Sequence, residues 1–291
     1  MSTAKIAAKK IKSLELEDVV ILETLEKALD SYLSVPNNYL SDVTKIHQEE
    51  IEYRTEKLRK LEFIAKEKKG NVILTQGLDA LALETLVKKG LISVIGNSLG
   101  VGKESDVFEV FDDEEESYAI KFYRIGRISF RQTRRKRVYV SPDNQHNWLR
   151  ICIEAAKKEM RNLINLSKLG VSVPYPIARE KHSILMNKID GKLISDQELI
   201  NPPEVLEQIL ESVMIAYTKA DLINGDLSQF NILFDGETSY IIDWPQSINT
   251  KHPNSEEILT RDIKNILTFF KRKYNLEMNE DDTIEYVKGL K

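Results

Sequence analysis

The chain has 291 residues, of which 42% are apolar and 30% are charged, and a formal net charge of −4. This length allows two domains, and the slightly negative charge means that any contact with nucleic acid must come from a local basic patch. Cys152 is the only cysteine, which excludes an internal disulfide, and the scattered histidines disfavour a structural zinc site. The apolar runs are far shorter than the roughly 20 residues that span a bilayer, so we expect a cytoplasmic protein with no membrane partner.

The first 90 residues are predicted to be mainly helical. Apolar residues recur at the spacing of one helix face in 19–33 and again in 47–61. Residues 63–74 hold two short apolar runs around a lysine-rich turn, which is typical of a hairpin, and 77–89 predict another helix. Helices followed by a hairpin are the order of a winged helix-turn-helix, so we predict this fold for residues 1–90.

Winged helices often place their third helix in a nucleic-acid groove, whereas others serve as protein-docking or purely structural modules. Four glutamates between residues 49 and 56 make the start of the third helix acidic, which argues against tight binding of duplex DNA. A basic end follows near the hairpin, so nucleic-acid contact and the structural alternatives both stay open. This basic end consists of Lys57, Arg59, Lys60, Lys66, Lys68 and Lys69.

After residue 90 the pattern changes from helices to strands. Short apolar runs at 91–95, 107–111 and 118–123 predict a three-stranded antiparallel unit, and 148–169 predict a long helix. The mixture makes this an α+β chain. Further strands are expected near 171–173, 183–188, 232–234 and 240–242, and further helices at 204–220, at 256–273 and near the C-terminus.

Residues 224–231, Asn-Gly-Asp-Leu-Ser-Gln-Phe-Asn, have the spacing of a kinase catalytic loop and are called the Asp226 loop below. Asp226 and Asn231 lie five residues apart, and Asp243 follows the next apolar run. Magnesium-dependent phosphoryl transfer needs hard oxygen ligands, for which Asn231 and Asp243 are candidates, and a base, for which Asp226 is the candidate. Single Asp or Asn residues in loops mostly cap turns, but three in this order indicate a phosphotransfer centre.

A glycine-containing segment upstream fits phosphate binding. Residues 100–105, called the Gly100 loop below, lie between two predicted strands, and Gly100 and Gly102 permit a close approach of backbone to phosphates. The glycine spacing and the residue after Lys103 exclude a Walker loop. The segment is similar to a kinase glycine-rich loop in which Ser105 replaces the third glycine, so that its hydroxyl could donate to a terminal phosphate.

Lys121 ends the apolar strand Tyr-Ala-Ile-Lys, which is the context of the kinase lysine that contacts phosphates. Glu159 lies on the apolar face of the long predicted helix, and a carboxylate that faces a core needs a cation, so we expect it to pair with Lys121. Glu154 is the competing candidate, but it lies off that face. Position alone suggests that Met186 and Ile189 contact adenine.

A basic segment without acidic residues follows the strand of Lys121. Arginines with interleaved aromatic side chains suit single-stranded or irregular RNA, through phosphate pairing and base stacking. A solvated charged loop is the alternative interpretation. The basic residues are Arg124, Arg127, Arg131, Arg134, Arg135, Lys136 and Arg137, and the aromatic residues are Phe122, Tyr123, Phe130 and Tyr139.

Several of these segments together resemble a RIO-type atypical serine/threonine protein kinase. The resemblance is carried by the Gly100 loop with Asp-Val-Phe after it, by the Lys121 strand with Gly-Arg-Ile-Ser-Phe-Arg at 126–131, by the Asp226 loop, and by Ile-Asp-Trp-Pro-Gln at 242–246. Residues 74–90 are similar to the winged helix of the second RIO subfamily, in an archaeal-like form. The resemblance covers nearly the whole chain.

The resemblance implies a trimmed two-lobed kinase domain over residues 91–291, with an N-lobe at 91–186 and a C-lobe at 187–291. It implies ATP and Mg²⁺ as cofactors, with Ser105 and Lys121 on the phosphates and Asn231 and Asp243 on the metal. Family members act as serine autokinases or ATPase switches in the maturation of the small ribosomal subunit. The implied partners are therefore the pre-ribosomal small subunit and its rRNA.

Two features qualify this comparison. Asn224 stands where loops of the family usually carry histidine, and an asparagine side chain can also form hydrogen bonds that brace the loop. The segment after Asp243 has room for about two helices and contains no Ala-Pro-Glu motif, so a full activation segment and peptide groove do not fit. We therefore do not expect efficient phosphorylation of free peptides.

Three other functions compete with this interpretation. A small-molecule kinase of the aminoglycoside or choline type shares the Asp226 and Asp243 motifs, but it needs additional C-terminal helices for its acceptor. A non-enzymatic, ATP-sensing, RNA-binding scaffold fits Asn224 and the missing peptide groove, but it leaves the complete set of Lys121, Asp226, Asn231 and Asp243 without a role. A DNA-binding regulator would account for the first 90 residues only.

Overall fold

The computed structural model describes residues 2–126 and 142–290, with side chains from Trp148 onward in the second range. The predicted domain and lobe boundaries stay a prediction. Among the helices of the described ranges, none combines the length and the apolar composition that a membrane span requires. The chain divides into two compact units: unit 1 comprises Met1–Lys157 and Ile177–Leu185, and unit 2 comprises Lys158–Pro176 and Met186–Lys291.

Unit 1 begins with helices followed by a hairpin, as the sequence predicts. The helix expected at 19–33 ends at Lys27 and continues as the 3₁₀ turn Ala28–Asp30. At Gly70 the backbone passes so close to Val35 that a Cβ would lie 2.2 Å from the Val35 carbonyl oxygen, which requires glycine. The elements are α1 Thr3–Lys10, α2 Leu16–Lys27, α3 Asn37–Thr44, α4 Gln48–Lys60, β1 Ile64–Glu67, β2 Gly70–Ile73 and α5 Thr75–Lys88.

Ion pairs neutralise part of the predicted basic end of this region. Lys57 Nζ lies 2.6 Å from a carboxylate oxygen of the buried Asp18, and Arg59 lies 2.7 Å from Glu56. A shallow hollow of about 370 Å³ is lined by Glu56, Arg59, Lys60 and Lys66. Because Lys57 and Arg59 already pair with carboxylates, the basic end is a weaker attractor for nucleic acid than its sequence indicates.

The sheet that follows has five strands in the order β3-β4-β5-β7-β6; its first three strands pair antiparallel as predicted, but the predicted unit is too small because two further strands extend it. The strand expected near 171–173 is also wrong, because residues 171–175 form no strand and Pro174 cannot donate to a ladder. The next strand begins at Pro176 instead. The elements are β3 Val94–Val101, β4 Ser105–Phe111, β5 Ser117–Tyr123, α6 Pro142–Lys168, β6 Pro176–Glu180 and β7 Ser183–Asn187.

A buried ionic cluster joins the last helix of the winged region to this sheet. Arg124, just after β5, donates to both carboxylate oxygens of Asp79 in α5, at 2.7 and 3.0 Å, and to Asp106 in β4 at 3.1 Å. His182 Nε2 lies 2.8 Å from Asp79 Oδ1. Although burial alone would raise the pKa of Asp79, Arg124 and His182 lower it to about 2. We call these four residues the Arg124 cluster.

Unit 2 packs its helices around short antiparallel strands. Trp244 is fully buried in its core together with Phe270 and the apolar faces of α7 and α8. The Asp226 loop runs from β9 to β10, and Asp243 follows β11 after one residue. The elements are β8 Lys192–Leu193, α7 Pro202–Ala220, β9 Leu222–Ile223, β10 Ile232–Phe234, β11 Ser239–Ile241, β12 Ile248–Asn249, α8 Ser255–Tyr274 and α9 Glu280–Val287.

The substitution Arg124→Met tests the Arg124 cluster. It leaves buried carboxylates without their cation, so we expect the free energy of unfolding to fall by about 3–5 kcal/mol. Urea titration followed by circular dichroism measures this loss. The control is Arg150→Met, which removes an exposed pair with Asp30 and should cost no more than about 1 kcal/mol. Equal losses in the two variants would contradict the assigned role of Arg124.

His182 makes stability depend on pH. Burial lowers the pKa of His182, and Arg124 adds to that effect while Asp79 opposes it. The unfolded chain takes up a proton near the usual pKa of about 6.5, whereas the folded protein keeps the ring neutral. Stability is therefore complete above that value and is lost as the pH falls below it.

We expect the variant His182→Gln to lose less unfolding free energy than the parent protein between about pH 7 and pH 5. Urea titrations at several pH values measure the two slopes. The exposed His252 supplies the control His252→Gln, which should keep the slope of the parent. A parental slope in His182→Gln would show that another group causes the pH dependence.

Candidate active site

The Gly100 loop connects β3 and β4 in unit 1. Gly100 and Val101 end β3, and the N–H of Gly102 donates to the Ser105 carbonyl at 2.8 Å, which closes the turn. A Cβ at Gly100 would meet no atom within 4 Å, and Gly102, Lys103 and Glu104 are exposed. The loop thus offers an open backbone surface of the kind that accepts phosphates, with the half-buried Ser105 at its end.

Lys121 lies in the middle of the same sheet. Its Cα pairs with that of Val107 in the β4–β5 ladder. Val107 lies two residues after the end of the Gly100 loop, so Lys121 stands on the neighbouring strand opposite the first residues of β4. The side chain is only 6% exposed, and Nζ lies 5.2 Å from the centroid of the Tyr123 ring. A lysine buried to this extent differs from a solvated strand-end lysine, which is the ordinary alternative.

In unit 2 the structure brings Asp226 and Asn231 together. The side-chain nitrogen of Asn231 (Nδ2) donates to the Asp226 carboxylate at 3.2 Å and to the Asp226 backbone carbonyl at 2.8 Å. Asp226 itself is exposed. The five-residue spacing seen in the sequence therefore closes the loop and holds the candidate base next to a candidate metal ligand.

Asn224 connects the Asp226 loop to the Asp243 turn. Its side-chain oxygen accepts from the Asp226 N–H at 3.1 Å, and its side-chain nitrogen donates to the Asp243 carbonyl at 3.2 Å. The residue is 3% exposed. Asparagine at the position where the family usually has histidine thus retains a bracing role, with one hydrogen bond to each segment.

A buried aspartate of α8 supports the same loop from the other side. Asp262 accepts from the Gly225 N–H at 2.7 Å, and burial raises the pKa of its carboxyl. Asn265 in the next turn of α8 donates to the Leu227 carbonyl at 3.2 Å. Gly225 has a φ of 83°, a conformation that glycine adopts without strain. The loop is therefore anchored to α8 through its backbone.

The Asp243 turn is anchored by the residue that follows it. Asp243 has a φ of 69°, which turns the chain into the core, where Trp244 is fully buried. The Trp244 N–H donates to Glu159 at 2.8 Å, and its indole nitrogen donates to the Ile241 carbonyl at 3.0 Å. Glu159 is 1% exposed, so it faces the core as the sequence predicts.

The remaining predicted residues have less distinctive environments. Met186 in β7 is buried, and Ile189 is half-buried just beyond that strand. Glu154, the rejected alternative to Glu159, is exposed and pairs with Lys157 at 2.6 Å. The assignments of roles to these residues, and the expected pairing of Lys121 with Glu159, stay predictions.

The predicted RNA-binding run needs a correction at its start. Arg124 is 5% exposed and bound in the Arg124 cluster, and Phe122 and Tyr123 are buried as well. These three residues are therefore not available to RNA. The pattern could not reveal this, because the carboxylates that bind Arg124 lie far away in the sequence. The rest of the run, from Arg127 to Tyr139, lies outside the described residues.

Sequence reasoning missed Asn162 and Asp262. Asn162 donates to the Trp244 carbonyl at 3.3 Å and to the Ser247 hydroxyl at 2.7 Å. Asp262 lies three residues after Leu259 and four before Ile266, both buried, so it stands on the apolar face of its helix. An acidic residue on an apolar helix face is the signal that identified Glu159, and the same signal could have identified Asp262.

A sheet with a buried lysine and a glycine loop, together with an Asp–Asn loop held on α8 and an Asp turn held on α6, defines a protein of the kinase class. The RIO domain family matches residues 106–283, and the family described as "Rio2, N-terminal" matches residues 11–89. The chain belongs to the RIO family and is a RIO-type serine/threonine protein kinase with the N-terminal domain of Rio2. The predicted fold class, family and enzyme class are thereby confirmed.

Similar proteins agree with this family assignment. The RIO-type serine/threonine-protein kinase Rio2 of Methanocaldococcus jannaschii is 36% identical over 258 residues, which cover 86% of this chain and 94% of the relative. The kinase rio2 of Schizosaccharomyces pombe is 33% identical, covering 91% and 79% of the two chains. A crystal structure of the Chaetomium thermophilum Rio2 kinase in an ADP/Mg²⁺-phosphoaspartate complex superposes with a TM-score of 0.84 at 29% identity, covering 95% and 88%.

The variant Asn224→Ala tests the bridge between the Asp226 loop and the Asp243 turn. It removes the buried side chain that accepts from the Asp226 N–H and donates to the Asp243 carbonyl, so we expect a loss of about 1–3 kcal/mol in the free energy of unfolding and faster exchange of the Asp226 amide. Urea titration and hydrogen exchange measure the two effects. Asn201→Ala, which removes an exposed hydrogen bond to Glu204, is the control. Parental exchange at Asp226 in Asn224→Ala would refute the bridge.

Proposed function

We propose that this kinase carries out ATP- and Mg²⁺-dependent phosphotransfer, as an ATPase switch or a serine autokinase, during maturation of the small ribosomal subunit. The observation that carries the proposal is the set of hydrogen bonds that connects the Asp226 loop with the Asp243 turn in unit 2. Asp226 and Asn231 share a hydrogen bond, and Asn224 bonds both to their loop and to the Asp243 turn. The side chains of Asp226 and Asn231 and the backbone of the Asp243 turn are therefore held in place before any ligand binds, which limits the reorganisation that catalysis requires.

The donor set suits magnesium. Both hydrogen bonds of the Asn231 side chain use its nitrogen, so the amide oxygen is the atom that can face a cation, together with the Asp243 carboxylate. Carboxylate and amide oxygens are the ligands that Mg²⁺ prefers, along with phosphate oxygens and water. When bound, the ion neutralises phosphate charge. No group of three or more His, Cys, Asp and Glu side chains arranged for a metal occurs in the described part of the chain, as expected for a site with one carboxylate and one amide.

The other half of the proposal concerns the phosphates. The open backbone of the Gly100 loop, with Gly102 and Lys103, can approach them, and the Ser105 hydroxyl and the Lys121 ammonium can donate to their oxygens. Met186 and Ile189 are proposed to contact the adenine. The Chaetomium relative, which carries ADP and Mg²⁺, supports the choice of nucleotide and metal.

The exposed carboxylate of Asp226 can act in two ways. As a base it accepts the proton of a serine hydroxyl or of water, whose oxygen then forms the new bond to the γ-phosphorus while the bond to the β–γ bridging oxygen breaks. Alternatively, an aspartate oxygen attacks the γ-phosphorus itself, ADP leaves, and water later hydrolyses the acyl phosphate. The phosphoaspartate of the Chaetomium complex supports the second route, with Asp226 and Asp243 as candidate acceptors.

The ribosomal part of the proposal is supported by membership of the Rio2 branch and by the winged region next to the kinase sequence. We propose the pre-ribosomal small subunit and its rRNA as partners, and the cytoplasm as the location. The rival scaffold function predicts nucleotide binding without turnover. The small-molecule kinase function is disfavoured by the match to the RIO family.

The test of phosphotransfer is the release of phosphate from ATP with and without Mg²⁺. We expect Asp226→Asn to bind nucleotide with parental affinity but to lose about 10²-fold or more in turnover, and Asp243→Asn to lose Mg²⁺-dependent binding as well. The exposed Asp281, far along the chain in α9, supplies the control Asp281→Asn. Tight binding by the parent with turnover no higher than that of the variants would favour the scaffold.

The chemical nature of the transferred phosphate separates the two routes. After incubation with γ-labelled ATP, an acyl phosphate on aspartate is released by hydroxylamine, whereas phosphoserine is not. We expect label that is sensitive to hydroxylamine and absent from the variant of the accepting aspartate. Resistant label in the parent would establish the serine autokinase instead, with Asp226 as base.

A further inference from the structure

A groove in unit 2 runs beside the Asp226 loop and has no role in the proposed chemistry. It encloses about 650 Å³ between the second half of that loop and one face of α8. We call it the α8 groove. Its lining consists of Ser228, Gln229, Phe230, Lys264, Asn265, Thr268, Phe269, Arg272 and Lys273.

The α8 groove is basic, and its lining contains no carboxylate. Lys264, Thr268 and Arg272 follow one another at intervals of four residues, so they form one stripe along the helix over about 12 Å. Lys264 and Arg272 are exposed, and neither forms an ion pair with any residue in the described ranges. Two cations in this setting attract an anionic ligand that can extend along the helix.

Phe230 gives the groove an exposed aromatic surface. Its side chain is 60% exposed, although it stands between two residues of the Asp226 loop that hydrogen bonds hold in place. Exposing a phenylalanine on an anchored loop has a cost in hydration, and a planar partner would recover it. Phe269 lies on the groove wall, with Lys273 Nζ 5.9 Å from its ring centroid.

Neutral polar groups complete the lining. Ser228, Gln229, Asn265 and Thr268 provide both donors and acceptors, which suits the edges of nucleobases, whereas the carboxylates of an acidic peptide would use donors alone. Cations for phosphates, an aromatic face for a base and amides for base edges are the combination that binds single strands.

We propose that the α8 groove binds a short single-stranded segment of RNA, with a base stacked on Phe230 and phosphates on Lys264 and Arg272. The inference deepens the proposed function, on which it rests for RNA as the partner, by assigning the contact to this surface. It places the RNA against the loop that carries Asp226 and Asn231.

The test compares Lys264→Glu/Arg272→Glu with Lys219→Glu/Lys251→Glu, which makes the same charge change at exposed lysines outside the groove. Binding of a short fluorescent oligouridine to the full chain is measured by anisotropy over a series of salt concentrations. We expect the groove variant to bind about tenfold more weakly than the control variant. Its salt slope should be lower by about 1.4, since each single-strand phosphate contact contributes about 0.7.

The variant Phe230→Ala should weaken binding by a similar factor of about ten without changing the salt slope, because stacking releases no counterions. Photocrosslinking with a thiouridine-substituted oligonucleotide should attach label to peptides containing residues 228–230 or 264–273. A groove variant with the affinity and slope of the control, or label confined to other peptides, would overturn the proposal. Loss of binding to a polyglutamate peptide with unchanged RNA binding would replace it with an acidic protein partner.

Phosphate release from ATP without RNA separates this inference from the proposed function. The groove double variant should keep parental turnover, because Lys264 and Arg272 are exposed and are not among the residues that hold the Asp226 loop or the Asp243 turn through the hydrogen bonds described above. A double variant that loses RNA binding but keeps the turnover of the parent supports the groove. Turnover absent in the parent, with RNA binding still sensitive to the groove variant, would contradict phosphotransfer and leave the groove standing.

Discussion

The candidate active site depends on how a short buried asparagine side chain is shared between two loops. Asn224 bonds the backbone of Asp226 on one side and that of Asp243 on the other. Asn224 thus positions the backbone that carries both candidate carboxylates, while other buried neighbours hold the two loops in place.

The anchors of these loops follow a common plan. Asp262 and Asn265 bind the Asp226 loop to α8, and Glu159 and Asn162 bind the segment after Asp243 to α6. Each of these side chains accepts from, or donates to, backbone of the segment that it holds. Asp262 and Glu159 are buried, and the cost of burying them is offset by the hydrogen bonds they make; the geometric effect of all four is to fix the site.

The sequence predicts the fold class and the juxtaposition of Asp226 and Asn231, whereas the roles given to Asp226, Asn231 and Asp243 stay predictions. The spacing of these residues is recognisable because loop chemistry depends on a few residues at fixed intervals. The size of the sheet was wrong because β6 begins at a proline and carries charged residues, which a pattern of apolar runs does not detect. The assignment of Arg124 to RNA was wrong because its partners Asp79 and Asp106 are remote in the chain. Local patterns cannot show pairings that only the fold creates.

Charge must therefore be judged with its partners. The winged region and the start of the arginine run look basic in sequence, yet Lys57, Arg59 and Arg124 are paired with carboxylates. The α8 groove looks unremarkable in sequence, because its cations are separated by apolar residues of the same helix. Folding places Lys264 and Arg272 on one face of α8, in the same groove as the exposed ring of Phe230.

The claim that Asn231 and Asp243 hold the metal ion is central to this account. It is tested most directly by titrating Mn²⁺, a paramagnetic substitute for Mg²⁺, into the protein with ADP and following the free ion by electron paramagnetic resonance. The account predicts one tight site in the parent that is weakened in Asn231→Ala and in Asp243→Ala, and retained in the control Asn201→Ala. Parental Mn²⁺ affinity in both site variants would contradict it.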